Sequence, residues 1–390
     1  MVTNDFPPRI GGIQQYEWNL ARLLPDDRVA VLAPNWPGWR EHDRAQPFPV
    51  HRWPSGFMWP TAQLAARVRS LIREHGSDVV LFGQGLPLPL LGPDLARDGV
   101  PYVVLTHGVE LWMARVPGSR SLLARALGHA SAVTAISEYT AAAVRRAVPA
   151  GVPFSIVAPA VDESRFSPAV DGSRVRERLG LSDGPVVLCV SRLVHRKGQD
   201  VLIEGMDTVR AIVPGATLVI VGGGPYRSRL EEMAARGPAG SVMFAGEVPD
   251  QQLPEWYAAC DVFAMPCRSR WGGLEVEGFG IVFLEAAATG KAVVAGRSGG
   301  AAEAVADGET GLLVEGAEPK ATALAVAKLL KHPDLAASMG AAGRTRVERE
   351  LTWSRQAERL AAVLRAAAGS PQRGASGRSR PTSIRGRRTS

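Results

Sequence analysis

Long apolar runs and cysteines are both scarce in this chain of 390 residues. The longest apolar runs, such as VVLCV and TLVIVG, have the length of a strand, whereas a helix that crosses a membrane needs roughly 20 apolar residues. The N-terminus lacks the layout of a secretory signal peptide. Cys189, Cys260 and Cys267 are not spaced as metal ligands, so we expect reduced, structural thiols in a cytoplasmic protein.

Acidic pairs of the type Asp-x-Asp are absent as well. A metal ion that bridges a diphosphate needs carboxylate ligands of this kind. We therefore predict that the chain has no metal site and uses no cofactor. Basic side chains and helix amides must then neutralise the negative charge of any diphosphate that binds.

Positive charge is concentrated at the C-terminus. The net charge is +7, and residues 371–390 contain six arginines and no acidic residue, which leaves about +1 for the remainder by subtraction (7 − 6). The composition predicts that residues 369–390 are disordered, either as a solvated extension or in weak contact with anionic lipid. No basic motif interleaved with aromatic residues accompanies the tail, so we expect no binding of nucleic acid.

Short apolar segments that alternate with helical patterns predict an α/β fold. Strands spaced by helices indicate doubly wound parallel sheets, which bind ligands at the carboxyl ends of their strands. The first strand has little room before NDFPP, so we expect either that it is short or that the natural start lies slightly earlier. The predicted strands are VAVLAP, DVVLFG, YVVLTHG, AVTAIS and FSIVAPAV in the first half, and PVVLCVSRL, ATLVIVGGG, VMFAGEV, DVFAMPC, KAVVAG and GLLVEG in the second.

The length of the chain exceeds one ordinary core, so we predict two Rossmann-like domains that face a cleft. A stretch rich in Pro, Asp and Ser at 159–172 suits a hinge between them. The predicted boundaries are 1–165 for the N-terminal domain, 166–350 for the C-terminal domain, and 351–368 for an amphipathic helix that packs back toward the N-terminal domain.

Two loops combine glycine or basic residues with a strand end. In SRLVHRKGQD, Arg192 and Lys197 follow the strand PVVLCV, where two cations can meet a diphosphate or simply form a solvated basic loop. In LVIVGGGPYRSRL, a glycine-rich turn precedes a helix, which is a weak signal for an anion or nucleotide contact.

Two short motifs in the first half also follow predicted strands or precede a helix. Gly11 and Gly12 precede a helix that is predicted to begin near Ile13, so their free amides form either a ligand loop or a tight turn. His107 follows the strand YVVLT, and this position favours the cleft over the core, although a satisfied structural histidine stays open.

The stretch EVEGFGIVFLEAAATG places carboxylates on both sides of a helix start. Phe279 and Gly280 precede the helix that Ile281 is predicted to begin, and its free amides carry a partial positive charge. Glu285 lies one turn further, and Glu277 stands just before the turn. A ligand with phosphate at the amides would place sugar hydroxyls near both carboxylates, whereas capping alone would explain only Glu277.

Together these motifs, from Asn4 to about Ala368, resemble the retaining glycosyltransferases of GT-B fold, of the glycosyltransferase family 4 type. The resemblance implies that the N-terminal domain binds an acceptor and the C-terminal domain a nucleotide sugar. It implies catalytic roles for His107, Glu277, Arg192 and Lys197. The implied donor-binding residues are Gly11, Gly12, Ile13, Arg192, Lys197, Val248, Glu277, Phe279, Gly280, Ile281 and Glu285.

The roles that the resemblance implies are specific. Glu277 contacts the donor sugar and Glu285 the ribose, whereas Arg192 and Lys197 hold the diphosphate. The Gly11–Ile13 turn closes on the phosphate from the N-terminal domain, and His107 lies beside the transferred sugar. Val248 is implied as a backbone contact to the base.

Longer strings, among them TNDFPPRIGGIQ, SRLVxRKGQD and EVEGFGIVFLEA, resemble the actinobacterial phosphatidylinositol mannosyltransferases. This implies transfer of mannose from GDP-mannose to phosphatidylinositol monomannoside through an α-1,6 link. Val109 stands where that subgroup has histidine, and His195 where it has proline. Val109 lies near the acceptor side, so the acceptor is the part of the interpretation that these departures affect.

A lipid acceptor implies a peripheral location at the inner face of the plasma membrane. Basic and aromatic residues of the N-terminal domain could contact the membrane, or could be ordinary exposed residues: Arg52, Trp53, Trp59, Arg67, Trp112, Arg115 and Arg120. The alternatives are a glycosyltransferase with another sugar nucleotide or another acceptor, a nicotinamide-dependent oxidoreductase, and a non-catalytic protein that binds sugar nucleotides.

Overall fold

The computed structural model describes residues 1–24, 29–181 and 184–369. The predicted disordered tail lies outside these residues except for Gly369, which is the last residue of the final helix, so the prediction was wrong at that residue. The domain boundaries at 165 and 350 stay predictions.

The first sheet is parallel and contains a strand that the sequence did not reveal. VHRW has no apolar run and all four of its residues are only half-buried, so periodicity could not mark it. The order is β2-β1 and β3-β4-β5-β6. The strands are β1 Val31–Pro34, β2 Val50–Trp53, β3 Val80–Phe82, β4 Tyr102–Thr106, β5 Ala132–Ala135 and β6 Phe154–Ile156.

The first three residues join these two groups of strands. Val2 forms parallel bridges to both Leu32 and Phe82. Its amide donates to the Leu81 carbonyl at 2.8 Å, and the Thr3 amide donates to the Leu32 carbonyl at 3.0 Å. Residues 2 and 3 therefore lie between the two groups of strands through isolated bridges, and residues 4 and 5 follow at the carboxyl edge of the sheet.

The second sheet is parallel throughout and has the order β12-β11-β10-β7-β8-β9. Each of the six strands predicted in this half is present, because continuous apolar runs are typical of strands covered on both faces. The strands are β7 Val186–Val190, β8 Thr217–Val221, β9 Val242–Gly246, β10 Val262–Met265, β11 Ala292–Gly296 and β12 Gly311–Val314.

Helices connect the strands, and local residues fix several of their ends. The Thr61 side chain accepts from the Leu64 amide at the start of α3, and Ser137 accepts from the Thr140 amide at the start of α7, which is how such residues satisfy free helix amides. The helices are α1 Gly12–Leu23, α2 Trp39–Arg44, α3 Ala62–His75, α4 Gly92–Arg97, α5 Glu110–Met113, α6 Pro117–Leu127, α7 Glu138–Arg145, α8 Ser173–Leu179, α9 Gln199–Ile212, α10 Arg227–Ala234, α11 Leu253–Ala259, α12 Ile281–Ala288, α13 Ala301–Ala304, α14 Pro319–Lys331, α15 Pro333–Glu350 and α16 Trp353–Gly369.

The chain passes between its two halves twice, and the two passages lie side by side. The Val161 amide donates to the Leu351 carbonyl at 3.1 Å, and Val161 bridges Thr352. Helix α16 then contacts α1 and β4 of the first half, and the Trp353 ring meets the Tyr16 ring edge-on at 6.0 Å. The segment predicted as a hinge thus lies against the start of the final helix.

All three cysteines are free and buried. Burial raises the pKa of each thiol to about 12, so they are poor nucleophiles and belong to the core. No helix in the described ranges is long and apolar enough to cross a membrane.

Candidate active site

One loop from each half lies at the cleft between the sheets, and the two loops are in close contact. The loop before α12 passes beside the loop after β4, so that a Cβ added to Gly278 would lie 3.6 Å from the His107 carbonyl oxygen and 3.2 Å from Ile136 Cδ1. A Cβ on Gly300 would overlap the carbonyl oxygen of Gly278. Glycine is required here because backbone approaches backbone.

Glu277 and Lys197, both predicted as site residues, are in direct contact. The Lys197 ammonium donates to Glu277 Oε2 at 2.6 Å, and Arg196 donates to the same oxygen through Nη1 at 2.7 Å. The Glu277 side chain is 9% exposed and that of Lys197 12%. Burial alone would raise the pKa of Glu277, but Lys197 and Arg196 outweigh it and lower that pKa below its ordinary value.

Arg192 is separated from this cluster in its contacts. Its residue is exposed, and its guanidinium makes no hydrogen bond within residues 1–24, 29–181 and 184–369. Arg196, rather than Arg192, is the cation that contacts Glu277 beside Lys197. The RKG string contained this signal, because a second cation adjoins Lys197, but the sequence alone gave Arg196 no role. The part of Arg192 in diphosphate binding stays a prediction.

Helix α12 begins at Ile281, as predicted. Gly280 precedes it with φ 91°, a left-handed conformation that favours glycine. Phe279 is buried, and Ile281 is half-buried. A Cβ at Gly280 would lie 3.6 Å from Glu277 Cγ, so the helix start adjoins the Glu277 side chain.

Glu285 faces a tyrosine of α11 one turn into this helix. The Tyr257 hydroxyl donates to Glu285 Oε2 at 2.6 Å. Burial raises the pKa of Glu285 to about 7, although the hydrogen bond from Tyr257 lowers it. Near neutral pH the group is therefore balanced between a carboxylic acid and a carboxylate, which accepts hydrogen bonds from hydroxyl groups.

The glycine-rich loop after β8 packs on the basic loop after β7. Gly222 has φ 130° and Gly224 φ 155°, and added Cβ atoms there would overlap the carbonyl oxygens of Ser191 and Leu193. Close packing between the two loops thus accounts for these glycines. Val248 is half-buried against the core, and its contact to a base stays a prediction.

His195 joins a polar cluster in the same region. Arg268 Nη2 lies 2.9 Å from His195 Nδ1 and 2.6 Å from Asp200 Oδ2. The His195 ring also packs against Tyr226, with 5.4 Å between ring centroids. Burial and the charge of Arg268 lower the pKa of His195, so the ring is neutral at neutral pH.

Helix α1 begins at Gly12, next to Ile13, as predicted. Gly11 occupies the cap position, and its carbonyl accepts from the Gln15 amide at 3.1 Å. Gly12 is exposed and Ile13 half-buried. A Cβ on Gly11 would overlap the end of the Gln14 side chain, which would have to move. The role of this turn in phosphate binding stays a prediction.

His107 lies at the carboxyl end of β4, as predicted, with its side chain 4% exposed. Its Nε2 lies 2.7 Å from the Gly83 carbonyl oxygen, and the ring meets Tyr16 edge-on at 5.1 Å. The Glu110 carboxylate holds the loop by accepting from the amides of His107 and Gly108, each at 3.0 Å, and from Gly85 at 2.9 Å.

A carboxylate that sequence reasoning missed adjoins this histidine. Glu17 of α1 is fully buried, and its Oε1 lies 3.5 Å from His107 Nε2. Burial lowers the pKa of His107, but the contact with Glu17 outweighs burial and raises that pKa overall. Burial raises the pKa of Glu17 to about 7. Its place on the buried face of an amphipathic helix was the only available signal.

A second missed carboxylate joins the two halves. Glu303 of α13 accepts from the amides of Glu138 at 2.7 Å and Tyr139 at 2.8 Å, which are free amides at the start of α7. Such an N-terminal position stabilises a carboxylate. Arg115 also spans the halves, since its Nη1 donates to the Gly272 carbonyl at 2.9 Å.

The residues proposed for membrane contact divide into two groups. Arg52 was wrongly included, because its side chain is 4% exposed and pairs with Asp43 at 2.6 Å; Trp53 is half-buried against the core. Trp59 is 63% exposed and Trp112 43%. Arg115 and Arg120 are also exposed, whereas Arg67 is half-buried.

One group of side chains has the composition of a metal site. His51, Glu74 and His75 bring their ligand atoms within 4.8 Å of one another. Arg67 Nη2 lies 3.3 Å from His51 Nδ1, and this fixed positive charge disfavours a cation there. The three residues belong to β2 and the end of α3, away from the carboxyl edge of the sheet.

Two sequence families match the chain. Residues 10–165 match the family described as Glycosyltransferase Family 4, and residues 173–346 match Glycosyl transferases group 1. The GDP-mannose-dependent alpha-(1-6)-phosphatidylinositol monomannoside mannosyltransferase of Mycolicibacterium smegmatis is 45% identical over 93% of this chain and 97% of its own length. A monoacylated-substrate counterpart from Corynebacterium glutamicum is 42% identical over 93% and 97%.

Solved structures agree on the fold. Anabaena Alr3699/HepE in complex with UDP has a TM-score of 0.80 at 23% identity, covering 94% of this chain and 99% of that one. Sucrose-phosphate synthase from Thermosynechococcus elongatus has a TM-score of 0.73 at 22% identity, covering 93% and 98%. The parallel sheets, together with 45% identity to a curated relative over nearly the full length, show that the chain is a GT-B glycosyltransferase and belongs to glycosyltransferase family 4.

Proposed function

We propose that this enzyme is a retaining mannosyltransferase that moves mannose from GDP-mannose to phosphatidylinositol monomannoside and forms an α-1,6 link. The observation that carries the proposal is the contact of Glu277 with Lys197 and Arg196, on a loop that packs against the His107 loop. Relatives named for this activity share 42–45% identity with the chain over nearly its whole length.

The cationic cluster suits a departing diphosphate. Glu277 pairs with both Lys197 and Arg196 and offsets one of their two positive charges. A bound diphosphate takes over these two cations, which frees the Glu277 carboxylate to accept from the hydroxyl groups of the mannose. Charge that develops on departing GDP then meets cations already in place, and removal of one such group typically lowers the rate about 10²–10³-fold.

The remaining site residues orient the donor. The amides at the start of α12 adjoin Glu277 and offer a partial positive charge to the phosphates. Glu285, whose carboxylate Tyr257 holds, accepts from the ribose hydroxyls. His107 lies on the opposite side of the cleft, beside the transferred sugar.

Transfer with retention follows from attack on the face that GDP leaves. The acceptor hydroxyl oxygen forms a bond to the anomeric carbon while the bond from that carbon to the phosphate oxygen breaks. The hydroxyl proton passes to the departing phosphate, so no protein side chain forms a covalent bond with the sugar.

A lipid acceptor places the enzyme at the inner face of the plasma membrane. Exposed Trp59 and Trp112 accompany Arg67, Arg115 and Arg120 on the N-terminal half. Aromatic side chains suit the interface of a bilayer and arginines suit anionic lipid. Flotation with anionic liposomes tests this part: failure to bind in the presence or absence of the tail contradicts it.

Turnover of radiolabelled GDP-mannose with membrane lipid extract tests the activity. We expect label in a lipid that co-migrates with the dimannoside, no label from UDP-glucose or UDP-N-acetylglucosamine, and loss of labelling in Glu277→Ala. Full turnover in Glu277→Ala contradicts the assignment of the site. Consumption of a different sugar nucleotide, or label in a soluble product alone, contradicts the assignment of donor or acceptor.

A further inference from the structure

The contact between Glu17 and His107 is a buried pair for which the proposed reaction has so far given no role. Glu17 lies on the inner face of α1 and is 0% exposed. Apart from the contacts with His107 and the Thr3 hydroxyl, neither of its carboxylate oxygens has a hydrogen-bond partner among the described residues. An ionised carboxylate without a partner is strongly destabilising in such a place, so Glu17, whose raised pKa of about 7 lets it take up a proton, stays ionised only if a cation lies beside it.

His107 is the cation nearest to this carboxylate. Its Nε2 lies 3.5 Å from Glu17 Oε1 and 2.7 Å from the Gly83 carbonyl oxygen. A carbonyl oxygen only accepts, so Nε2 must carry a proton. The second ring nitrogen, Nδ1, takes part in no hydrogen bond within the described ranges and is therefore left for a ligand.

The packing around the pair leaves no room for a compensating group. A Cβ added to Gly83 would lie 2.5 Å from Glu17 Oε1 and would overlap the Thr3 hydroxyl. The Tyr16 ring closes one side of the imidazole, and its hydroxyl is already used, because it donates to the Val157 carbonyl at 2.7 Å. His107 is thus the group that must balance the charge of Glu17.

Other titratable groups face the pair at longer range. The N-terminal segment contributes the Met1 ammonium and Asp5. Helix α1 contributes Tyr16, and the His107 loop contributes Glu110. Asp5 is already bound by Gln14, Gln84 and Arg9. Glu110 is bound by three backbone amides. Beside His107, Glu17 has only the uncharged Thr3 hydroxyl as a close polar neighbour among the described residues.

We propose that Glu17 is a positioning residue that keeps His107 protonated, so that Nδ1–H is a hydrogen-bond donor to an oxygen of the transferred sugar or its phosphate. Without Glu17 the ring is neutral, with its one proton on Nε2, and Nδ1 is an acceptor that repels such an oxygen. The kinetic consequence rests on the proposed function, whereas the protonation state of the ring does not.

The direct test is a ¹⁵N NMR spectrum of the histidine ring nitrogens in the ligand-free protein at about pH 7. His107→Gln assigns the resonances. We expect both nitrogens of His107 to carry protons in the wild type. In Glu17→Gln we expect the neutral ring with Nε2–H. A neutral His107 in the wild type, or an unchanged spectrum in Glu17→Gln, overturns the proposal.

The kinetic test is the pH profile of kcat/KM for mannosyl transfer. An opposite charge at this distance shifts a pKa by about 1–3 units, so loss of Glu17 should move the alkaline limb down by about one pH unit or more. At about pH 8 the variant should be roughly tenfold or more slower than wild type, and it should recover at low pH. A loss of rate that is equal at every pH indicates a structural role and contradicts the proposal.

Two control variants complete the design. Glu17→Asp keeps the charge and should hold the limb nearer to its wild-type position. Glu204→Gln removes an exposed carboxylate of α9 and should move neither the spectrum nor the limb. If Glu17→Gln does not fold, the wild-type spectrum and Glu17→Asp still decide the question. If no mannose is transferred but the spectra behave as expected, the proposed function fails and the role of Glu17 stands.

Discussion

Glu277→Gln should have opposite effects on catalysis and on the binding of GDP. In the free protein the Glu277 carboxylate lies 2.6 Å from the Lys197 ammonium and 2.7 Å from Arg196 Nη1. At an effective dielectric constant of about 20, each contact has a Coulomb attraction of about 6 kcal/mol before the desolvation of the charges is counted. Removal of one member of a buried pair typically leaves a net loss of about 3–5 kcal/mol.

The variant should therefore melt at a lower temperature and transfer mannose more slowly by about 10²–10³-fold, because an oriented contact to the reacting sugar is lost. Its affinity for GDP should rise, because the diphosphate no longer competes with a carboxylate for the two cations. Relief of only about 1.4 kcal/mol of the penalty tightens GDP binding tenfold.

Calorimetric titration with GDP, melting curves with and without GDP, and turnover of labelled GDP-mannose measure the three effects. Glu275→Gln is the matched control: it removes the same charge two residues away, where the carboxylate lies 3.7 Å from Arg196 and 3.1 Å from Arg270, and should change GDP affinity little. The reasoning is refuted if GDP affinity falls together with turnover in Glu277→Gln.

Three further outcomes are expected. The affinity for the donor should rise with pH through about 7, because Glu285, whose pKa is raised to about 7, accepts ribose hydroxyls as a carboxylate. Tyr257→Phe removes a hydrogen bond that lowers this pKa, so donor titrations of the variant should show the rise in affinity at higher pH. An unchanged pH profile contradicts the pairing of Tyr257 with Glu285. The same raised pKa makes the native state bind more protons than the unfolded state. The contribution of Glu285 to the free energy of unfolding should therefore decrease as pH rises from about 4.5 to 7. Melting curves of Glu285→Gln should lack this pH-dependent decrease. Glu303→Gln should weaken the contact between the halves by about 0.5–2 kcal/mol, which should increase the radius of gyration in small-angle scattering and slow the transfer. The control Glu138→Gln, at an exposed carboxylate, should change neither. An unchanged radius in Glu303→Gln would show that Glu303 does not help to close the cleft.

Much of the fold could be predicted because its signals are local. The apolar runs of β7 to β12 are strand-length, and those of β7, β8, β10 and β11 are fully buried, so composition and length alone marked them. Helix α12 begins at Ile281 because Gly280 has the positive φ that ends the preceding turn. The strand β2 escaped prediction because half-buried VHRW has no such run. Among the described strands it pairs with β1.

Some residues of the candidate site were expected from the sequence, but their pairings were not. Glu277, Lys197 and His107 belong to recognisable motifs, yet nothing local indicated that Glu277 would share one oxygen with Arg196 and Lys197. Arg52 shows the reverse case, since a basic residue beside tryptophan looked like a surface contact and is instead buried against Asp43. Both outcomes depend on residues that are distant along the chain.

The sequence by itself determined the two parallel α/β units and the glycine, basic and acidic motifs at their strand ends, because strand and helix patterns and turn residues act over a few neighbours. Only the tertiary structure decided which charges meet. Glu17 faces His107 across 90 residues and Glu303 caps α7 across 165 and 164 residues, and such contacts arise only when the sheets and helices pack, because burial removes the water that would otherwise screen and solvate each charge.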